Sequence, residues 1–300
     1  MEAESVTTEQ QQVALLRQGR VMEALKIAQA AMDSNPQRFD PHQRLLDDVR
    51  SHNATEGNLH LVDGIFCAEC KNRGNIAVVL ENPRFNYKTF AIQPCKCMEA
   101  RRSLELLKNS GLANLSERYT LEQFTTETPW HQAMKQKAID YIEGRGAQWF
   151  FAGGQVGCGK SHICTAITLE LIRKGHSTRY MLWRDESTRL KALVNDDELY
   201  NEEISKLKRV DVLYIDDLFK MQRNDRNGQR NTPTAADINL AFEIINARYM
   251  DESKKTIISC EWFIDDLVDF DEGVASRIYE RSKASCAEIS RDPKKNYRLH

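Results

Sequence analysis

The sequence lacks any apolar run that approaches the length of a membrane-spanning helix, and its first residues are acidic and glutamine-rich rather than signal-like. It also lacks an excess of either charge, because 42 lysines and arginines stand against 44 aspartates and glutamates. A net charge of −2 gives no general attraction for nucleic acid, so any such binding must come from a local basic segment. The 300 residues, 41% of them hydrophobic, are enough for one large domain or two small ones. These features predict a soluble, cytoplasmic protein with no membrane partner.

Cysteine, in contrast, is well represented, and its spacing is more informative than its number. Among eight cysteines, Cys67 and Cys70 form one close pair, and Cys95 and Cys97 form another after 24 intervening residues. Two strand-like runs between the pairs predict a β-hairpin that would bring the four thiols together. Four thiolates make the closed tetrahedral site that is typical of structural Zn²⁺. We therefore predict zinc on these four residues, with His60 as a bystander, and buried free cysteines or a redox pair as the alternatives.

Residues 154–161 match the phosphate-binding P-loop pattern, in which glycines let backbone N–H groups wrap around phosphate oxygens. The apolar run 148–152 before it predicts a buried strand, and 161–174 has the spacing of a helix, whose first turn attracts anions. Lys160 would reach the β- and γ-phosphates, and the Ser161 hydroxyl would bind Mg²⁺. A chance glycine-rich turn is the alternative. The predicted nucleotide-binding residues are Gly154, Gln155, Val156, Gly157, Cys158, Gly159, Lys160, Ser161 and His162.

A second apolar strand, 210–215, ends in two adjacent acids, Asp216 and Asp217. Such a Walker B element places the first acid at Mg²⁺, directly or through water, and lets the second polarise the attacking water. Many ATPases of this type carry Glu at the second position, and Asp217 is one methylene shorter. A strand that merely ends at a solvated acidic turn is the alternative. The P-loop about 55 residues earlier favours the Walker B interpretation.

A third strand, 256–259, leads to Glu261, where such ATPases place a sensor of the γ-phosphate. An acid there would either help Asp217 to hold the attacking water or form a salt bridge, and both roles stay open. Arg277 and Arg281 lie one helical turn apart, and either would suit an arginine finger for a neighbouring subunit, with surface helix arginines as the alternative. The predicted catalytic residues are Lys160, Asp216, Asp217, Glu261, Arg277 and Arg281, and the predicted magnesium ligands are Ser161 and Asp216.

The segment 219–237 carries four basic residues among Asn, Gln, Gly and Pro, namely Lys220, Arg223, Arg226 and Arg230. This composition predicts a long flexible loop. A basic mobile loop suits the backbone of single-stranded nucleic acid. A solvated loop with no ligand is the alternative.

Three segments follow from these patterns. Residues 1–60 are helical in pattern and resemble half of one tetratricopeptide repeat, with a plain helical hairpin as the favoured alternative. Residues 61–110 contain the zinc module and a linker helix. Residues 111–300 alternate helices with buried strands, which predicts an α/β core with a parallel sheet.

The order of these elements resembles the helicase loaders of the DnaC/DnaI type, especially their phage-encoded relatives. The resemblance covers about residues 65–300. It rests on the two cysteine pairs and on a series of shorter stretches: Gly111-Leu112 with Tyr119 and Phe124, 154–162, 213–218, 256–261, 276–280 and 296–299.

The resemblance implies an initiator-clade AAA+ core that binds ATP with Mg²⁺ and self-associates into a ring or spiral. It further implies delivery of a hexameric replicative helicase onto single-stranded DNA. Independently of the resemblance, residues 8–50 carry no catalytic group but have apolar residues at roughly helical spacing. We therefore expect these helices, together with the zinc module, to bind the helicase, with packing against the chain's own ATPase core as the alternative. Only about 140 residues follow Lys160, so we expect a core without a full helical lid and assign no sensor 2 arginine. Asp217 in place of Glu and Glu261 in place of Asn depart from the wider AAA+ pattern, which predicts slow hydrolysis stimulated by oligomerisation or DNA.

Two other functions stay open. A transposition-helper ATPase of the IstB kind shares the same core, although the zinc module and the N-terminal helices disfavour it. A nucleotide-gated adaptor, which binds ATP and a protein partner but hydrolyses little, is favoured by the two unusual acids.

Overall fold

The computed structural model describes residues 22–23, 26–27, 41–82, 87–109, 118–220 and 232–299. Several features predicted from the sequence lie outside these ranges. They are most of the N-terminal helical region, the Gly111-Leu112 stretch and three basic residues of the predicted loop, Arg223, Arg226 and Arg230.

The chain divides into two compact units that are not continuous in sequence. The first contains residues 1–55 and 76–93, and the second contains residues 56–75 and 94–300. The chain therefore passes from one unit to the other three times. The three domains proposed from sequence, with limits at residues 60 and 110, stay a prediction.

In the first unit, helix α1 (Pro41–Ala54) packs beside a two-stranded sheet of β1 (Asn75–Asn82) and β2 (Tyr87–Pro94). The Asn53 side chain holds helix and sheet together, because it donates to the Ala77 carbonyl at 2.9 Å and accepts from the Ala77 N–H at 2.8 Å. The two strands confirm the strand-like runs predicted between the cysteine pairs.

The second unit is built on five parallel strands in the spatial order β4-β5-β6-β3-β7. This sheet confirms the predicted α/β class and places the strand before the P-loop between two neighbours. Three further predicted strands are present with shifted ends, whereas the last strand was not predicted. The strands are β3 (Trp149–Gly154), β4 (Thr178–Leu182), β5 (Val212–Leu218), β6 (Lys255–Cys260) and β7 (Cys286–Ile289).

Helices cover both faces of this sheet, which is why its strands are almost continuously apolar. Along β3, Phe150 and Ala152 belong to one apolar cluster and Trp149 and Phe151 to the other. The first face is covered by α3 (Cys97–Asn109), α4 (Pro129–Ile142) and α5 (Lys160–Arg173), while the short helix α2 (His60–Asp63) precedes the first cysteine pair. The second face is covered by α6 (Trp183–Ala192), α7 (Asp197–Arg209), α8 (Ala235–Tyr249), α9 (Ile264–Phe270) and α10 (Glu272–Ser282).

A buried arginine fixes the amino ends of β5 and β6. Arg248 of α8 is fully buried, and burial lowers its pKa to about 10. Its Nε atom donates to the Thr256 hydroxyl at 2.9 Å, and its Nη atoms donate to five backbone carbonyls, those of Leu207, Lys208, Val210, Asp211 and Lys255. This anchor lies at the opposite end of the strands from the P-loop and leaves the carboxyl edge for ligands.

After β7, the described residues 290–299 contain one 3₁₀ turn, Pro293–Lys295, and no α-helix. The prediction of a core without a full helical lid stays a prediction. Separately, none of the described helices is both long and apolar enough to cross a membrane.

Candidate active site and cysteine cluster

The P-loop joins β3 to α5 in a conformation that requires glycine. Gly154 and Gly157 have φ angles of 95° and 73°, which side chains of L-residues rarely adopt. A Cβ atom on Gly154 would also lie 2.2 Å from the Ile289 carbonyl oxygen. The loop therefore folds tightly over the carboxyl end of the sheet and presents the first turn of α5 to the space above it.

A cavity of about 260 Å³ lies against this loop. Among the predicted nucleotide-binding and catalytic residues, 156–162, Asp217 and Glu261 line it, whereas Gly154, Gln155 and Asp216 do not. Eight further lining residues were not predicted as site residues: Tyr119, Gln123, Phe124, Thr125, His131, Lys220, Tyr297 and Arg298.

Lys160 is folded back onto its own loop. Its Nζ atom donates to the carbonyl oxygens of Gly154, at 3.0 Å, and Gln155, at 2.5 Å. The side chain is buried, so its charge is compensated by these two carbonyl dipoles. The phosphates of a nucleotide would offer the same ammonium group a stronger, charged partner.

The Asp216 carboxylate is buried among four hydroxyl groups, each of which donates to it. The donors are Ser161 at 3.1 Å, Tyr180 at 3.1 Å, Tyr214 at 2.8 Å and Ser259 at 2.5 Å. Burial raises the pKa of both tyrosines, so their hydroxyls stay protonated. The facing oxygens of Ser161 and Asp216 are hard ligands of the kind that Mg²⁺ prefers, and these two residues fit the predicted ion.

Asp217 occupies a backbone conformation that is uncommon for a residue other than glycine. Its φ angle is 56°, at a break in the register between β5 and β6. The Ser259 hydroxyl accepts a hydrogen bond from the Asp217 N–H at 2.8 Å and thereby links this residue to Asp216. Burial and, next, the Asp216 charge raise the pKa of Asp217, while Lys220 opposes the rise. Strain of this kind is found at functional sites, where the surroundings hold it in place.

Glu261 follows β6 and lies close to Asp217 through a shared lysine. The Lys220 Nζ atom is 2.7 Å from the Asp217 carboxylate and 3.2 Å from that of Glu261. Glu261 is thus both a salt-bridge residue and part of the cavity wall, so the two roles left open by the sequence are not exclusive. Of the four basic residues in the predicted loop, Lys220 is the one that lies within the described part of the chain.

Arg277 and Arg281 lie on α10 and do not line the cavity of their own chain. Arg277 donates to the Asn246 side chain at 3.1 Å and to the Gly273 carbonyl at 2.8 Å. Arg281 donates to the Tyr249 carbonyl at 2.7 Å. Both arginines are partly exposed, and their action on a neighbouring subunit stays a prediction.

Aromatic residues form the wall of the cavity that leads to α4. The Tyr119 ring stacks on His162, with centroids 4.6 Å apart and planes inclined by 10°, and Phe124 meets His162 edge-on at 5.2 Å. Burial lowers the pKa of His162, whose Nε2 atom lies 2.9 Å from the Thr120 carbonyl oxygen. Flat apolar surfaces of this kind suit a nucleotide base. The sequence contained Tyr119 and Phe124 as motif residues, but no local pattern marked them as part of the site.

The segment after β7 lies along the P-loop. The Gln155 N–H donates to the Ile289 carbonyl at 3.0 Å, and the Asp292 N–H donates to the Gln155 side chain at 2.9 Å. The Tyr297 N–H donates to the Gly157 carbonyl at 3.0 Å. Tyr297 and Arg298 thereby reach the cavity wall, a position that the sequence does not reveal.

The four paired cysteines come together within the second unit. The Cys67 and Cys95 sulfurs are 3.8 Å apart, those of Cys70 and Cys97 are 3.5 Å apart, and all four lie within 4.8 Å of one another. Zinc bonds of about 2.3 Å at tetrahedral angles imply sulfur separations of about 3.8 Å, so the four residues fit Zn²⁺. The two loops are joined by a hydrogen bond from the Cys95 N–H to the Gly74 carbonyl at 3.0 Å.

The surroundings of the cluster favour one ionised thiol and oppose others. Burial raises the pKa of Cys97 to about 11, with Arg101 opposing the rise. For Cys70, burial is outweighed by hydrogen bonds from the Gly74 N–H and the neighbouring thiols, and its pKa falls to about 7. A divalent cation would allow all four to be thiolates. His60 is not part of the cluster and meets the Phe66 ring edge-on at 6.0 Å.

Comparison with known proteins gives a family match over most of the second unit. The family described as IstB-like ATP binding protein matches residues 95–281. The chain is 30% identical over 225 residues to the phage-like element PBSX protein XkdC of Bacillus subtilis. The aligned region covers 71% of this chain and 78% of that protein. The chain is also 27% identical over 179 residues to the chromosomal replication initiator protein DnaA of Spiroplasma citri, covering 57% of this chain and 37% of that protein. Among solved structures, the crystal structure of the DnaC helicase loader matches with a TM-score of 0.46 and 18% identity, over 57% of this chain and 98% of that one.

Proposed function

Since this chain belongs to the IstB-like ATP-binding protein family, we propose that it works as an ATP-dependent loader of a hexameric replicative helicase onto single-stranded DNA. Family membership makes it a P-loop ATPase with an α/β AAA+ core. The observation that carries the finer proposal is the four-cysteine cluster with exposed apolar residues beside it. An ATPase without a protein partner would not need such a surface, whereas a loader must bind a protein partner.

Within the proposed nucleotide site, each residue has a role that its surroundings support. Lys160 exchanges its carbonyl partners for the β- and γ-phosphates. Ser161 and Asp216 would hold Mg²⁺, which when bound would neutralise phosphate charge. Asp217 accepts the proton of the attacking water, and its buried position makes it a better base than a solvated carboxylate. Glu261 stands beside it across Lys220.

Self-association is proposed because two arginines that suit a γ-phosphate lie away from the cavity of their own chain. Arg277 and Arg281 are partly exposed on α10 and have polar partners that a phosphate could replace. A ring or spiral of subunits would present one of them to the nucleotide of the next subunit. The same arrangement would let single-stranded DNA meet the basic loop that begins at Lys220.

A protein partner is proposed from exposed apolar residues next to the first cysteine pair. The apolar patch, defined as Leu61, Val62 and Phe66, has exposed fractions of 77%, 81% and 69%. Large apolar side chains concentrated within six residues and facing solvent are typical of protein-binding surfaces. Zinc on the adjacent cysteines would hold this surface in one shape. The similarity of the core to a chromosomal replication initiator supports a partner from the replication machinery.

Capture of a hexameric replicative helicase by the full chain tests the proposal. We expect the wild-type protein with ATP to retain the helicase, and the double variant Val62→Asp, Phe66→Ser to retain at least tenfold less while still binding ATP. Met250→Ser is the matched control, because Met250 is also a highly exposed apolar residue but lies outside the patch. Absence of capture by the wild-type chain would contradict the helicase-loader proposal.

A transposition-helper ATPase is the second candidate, and the family match itself favours it. The match begins at residue 95. It therefore leaves out Cys67 and Cys70, which belong to the predicted zinc module that disfavours a transposition helper. In the same assay, capture of a transposase in place of the helicase would support this candidate.

A nucleotide-gated adaptor is the third candidate, since Lys220 pairs with both Asp217 and Glu261. It predicts ATP-dependent capture with no turnover, with or without single-stranded DNA.

A further inference from the structure

Arg101 of α3 is a buried arginine whose hydrogen-bond partners lie in the segment that carries the apolar patch. Its side chain is 7% exposed. One Nη atom donates to the Asp63 carboxylate, and the other donates to the Ile65 carbonyl at 2.9 Å. The second oxygen of the same carboxylate accepts from the Ile65 N–H at 2.9 Å. Arg101, Asp63 and Ile65 therefore form a closed set of hydrogen bonds that fixes the backbone after α2.

The same guanidinium meets the four-cysteine cluster. Cys97 begins α3 and Arg101 follows four residues later, so that both side chains lie on one face of the helix. The guanidinium interacts with the Cys97 sulfur and favours its charged form. Its Nε–H group is buried and has no hydrogen-bond partner among the described residues. A thiolate is a stronger acceptor than a thiol, so the cluster in its metal-bound form would offer this donor a partner.

A carboxylate, a donor and a metal ligand in series are typical of the outer sphere of metal sites. A ligand is usually held by a second group, and a carboxylate often orients that group in turn. Here the carboxylate is Asp63, the oriented donor is Arg101 and the ligand is Cys97. Such a donor withdraws negative charge from the sulfur, which lowers the cost of burying a site of four thiolates.

Asp63 and Ile65 also connect the cluster to the apolar patch. Val62 precedes Asp63 and Phe66 follows Ile65, and both patch side chains are exposed, whereas Ile65 is fully buried. The Ile65 backbone is bonded at its N–H to Asp63 and at its carbonyl to Arg101. A shift of the guanidinium would therefore reach the turn on which the patch is built.

We propose that Arg101 is an outer-sphere residue of the zinc site, and that zinc binding at Cys97 and the fixed form of residues 63–66 stabilise each other through its guanidinium. This rests on the zinc site proposed above and not on the identity of the protein partner. Arg101 is a positioning residue, because it acts through a metal ligand and through the backbone of the patch. The linkage is reciprocal, so the patch is held most firmly when the metal is bound.

The test measures the zinc affinity of the full chain by competition with a chromophoric chelator. We expect Arg101→Gln to weaken zinc binding by about 10- to 100-fold, the range found for outer-sphere residues. Arg102→Gln is the matched control and should bind zinc as wild type does, because Arg102 is the next residue of α3 but is exposed. Equal zinc affinity in the two variants would overturn the inference and leave the zinc site in place.

A second variant separates the outer-sphere role from a purely structural one. Arg101→Gln leaves the Asp63 carboxylate without its cation, and this alone destabilises the fold. The double variant Arg101→Gln, Asp63→Asn removes both charges and leaves no unpaired carboxylate. We expect its zinc affinity to stay about tenfold or more below that of wild type. Recovery of wild-type affinity would show that Arg101 serves only to neutralise Asp63, and would contradict the inference.

Two readouts on the metal-saturated double variant follow the linkage itself. With Co²⁺ in place of zinc, the sulfur-to-metal charge-transfer band should move to lower energy, because the sulfur has lost a neighbouring positive charge. The Ile65 amide should exchange its hydrogen about tenfold faster, because the backbone there opens more easily. An unchanged band would refute the contact with Cys97, and an unchanged exchange rate would refute the link to the patch. If the wild-type chain binds no zinc, both the zinc site and the inference are wrong.

Discussion

Lys220 forms an ion pair with Asp217, and 2.7 Å separates its Nζ atom from the Oδ2 atom of the carboxylate. Asp217 is the acid that we propose as the base for the attacking water, and residues 221–231 follow Lys220 directly. The pair therefore connects the chemistry of the site to the segment proposed to meet single-stranded DNA. A displacement of Lys220 itself would change the electrostatic surroundings of the proposed base.

Replacing Lys220 should shift the pH dependence of ATP hydrolysis. Burial and the Asp216 charge raise the pKa of Asp217, and Lys220 lowers it. In Lys220→Met the pKa of Asp217 rises further, so the ionised base is lost at a higher pH as the solution is acidified. We expect the acid limb of the kcat profile to move toward higher pH. An acid limb that stays in place would show that Asp217 is not the titrating base.

Asp217→Asn should leave ATP binding intact and reduce turnover by about 100-fold or more, the range expected for loss of a general base. The amide keeps the shape of the side chain but cannot accept the proton. Single-turnover hydrolysis and ATP titration on the same preparation separate the two effects, with Glu261→Gln as the parallel variant. Normal turnover in Asp217→Asn, with a loss in Glu261→Gln, would transfer the role to Glu261.

Ser259→Ala should lower both turnover and stability, because the Asp217 N–H and the Asp216 carboxylate both lose a partner. A buried polar group left without a partner costs about 1–3 kcal/mol in the free energy of unfolding. Urea denaturation measures this cost. Ser282→Ala is the control, since Ser282 is also buried but its hydroxyl donates only within its own helix, to Ile278. Equal turnover in the two variants would contradict a positioning role for Ser259.

One Zn²⁺ per chain should copurify with the protein, and Cys95→Ser should abolish stoichiometric zinc and lower the melting temperature. The four thiols are placed for a tetrahedral ion, and a module of this size depends on it for its shape. Elemental analysis gives the zinc content. Cys286→Ser, a half-buried cysteine away from the cluster, should keep its zinc. Unchanged zinc in Cys95→Ser would refute the assignment.

Arg277→Ala subunits should bind ATP normally but fail to stimulate their neighbours. Mixed with Lys160→Ala subunits, which keep the arginine but lose the P-loop lysine, they should recover activity that neither variant has alone. Activity equal to the sum of the two separate samples would rule out action in trans. Arg281→Ala in the same mixture identifies which arginine acts.

Sequence patterns were sufficient to predict those parts of the molecule whose residues are close together along the chain. The P-loop glycines, the apolar strand before Asp216 and the two cysteine pairs are each defined by neighbours in sequence, and the fold places them as expected. The four-residue strand β7 was missed because so short a run has no detectable period.

The remaining site residues depend on which strands are neighbours. Ser259 and Tyr180 reach Asp216 only because β6 and β4 lie on either side of β5. Arg298 reaches the cavity only because the chain turns back along the P-loop after β7. No spacing within either segment records that pairing, so sequence patterns alone could not identify these residues.

The hydrogen bond from the Cys95 N–H to the Gly74 carbonyl joins the two points at which the chain enters and leaves residues 76–93, so this strand pair can be replaced while the cysteine pairs keep their positions. Its two ends already meet at a single hydrogen bond of 3.0 Å, so a short turn can join residues 75 and 94 without separating the cysteine pairs. We therefore expect a chain in which a short turn replaces residues 76–93 to keep the four cysteines together, although the Asn53 side chain of α1 would lose its two hydrogen bonds with Ala77.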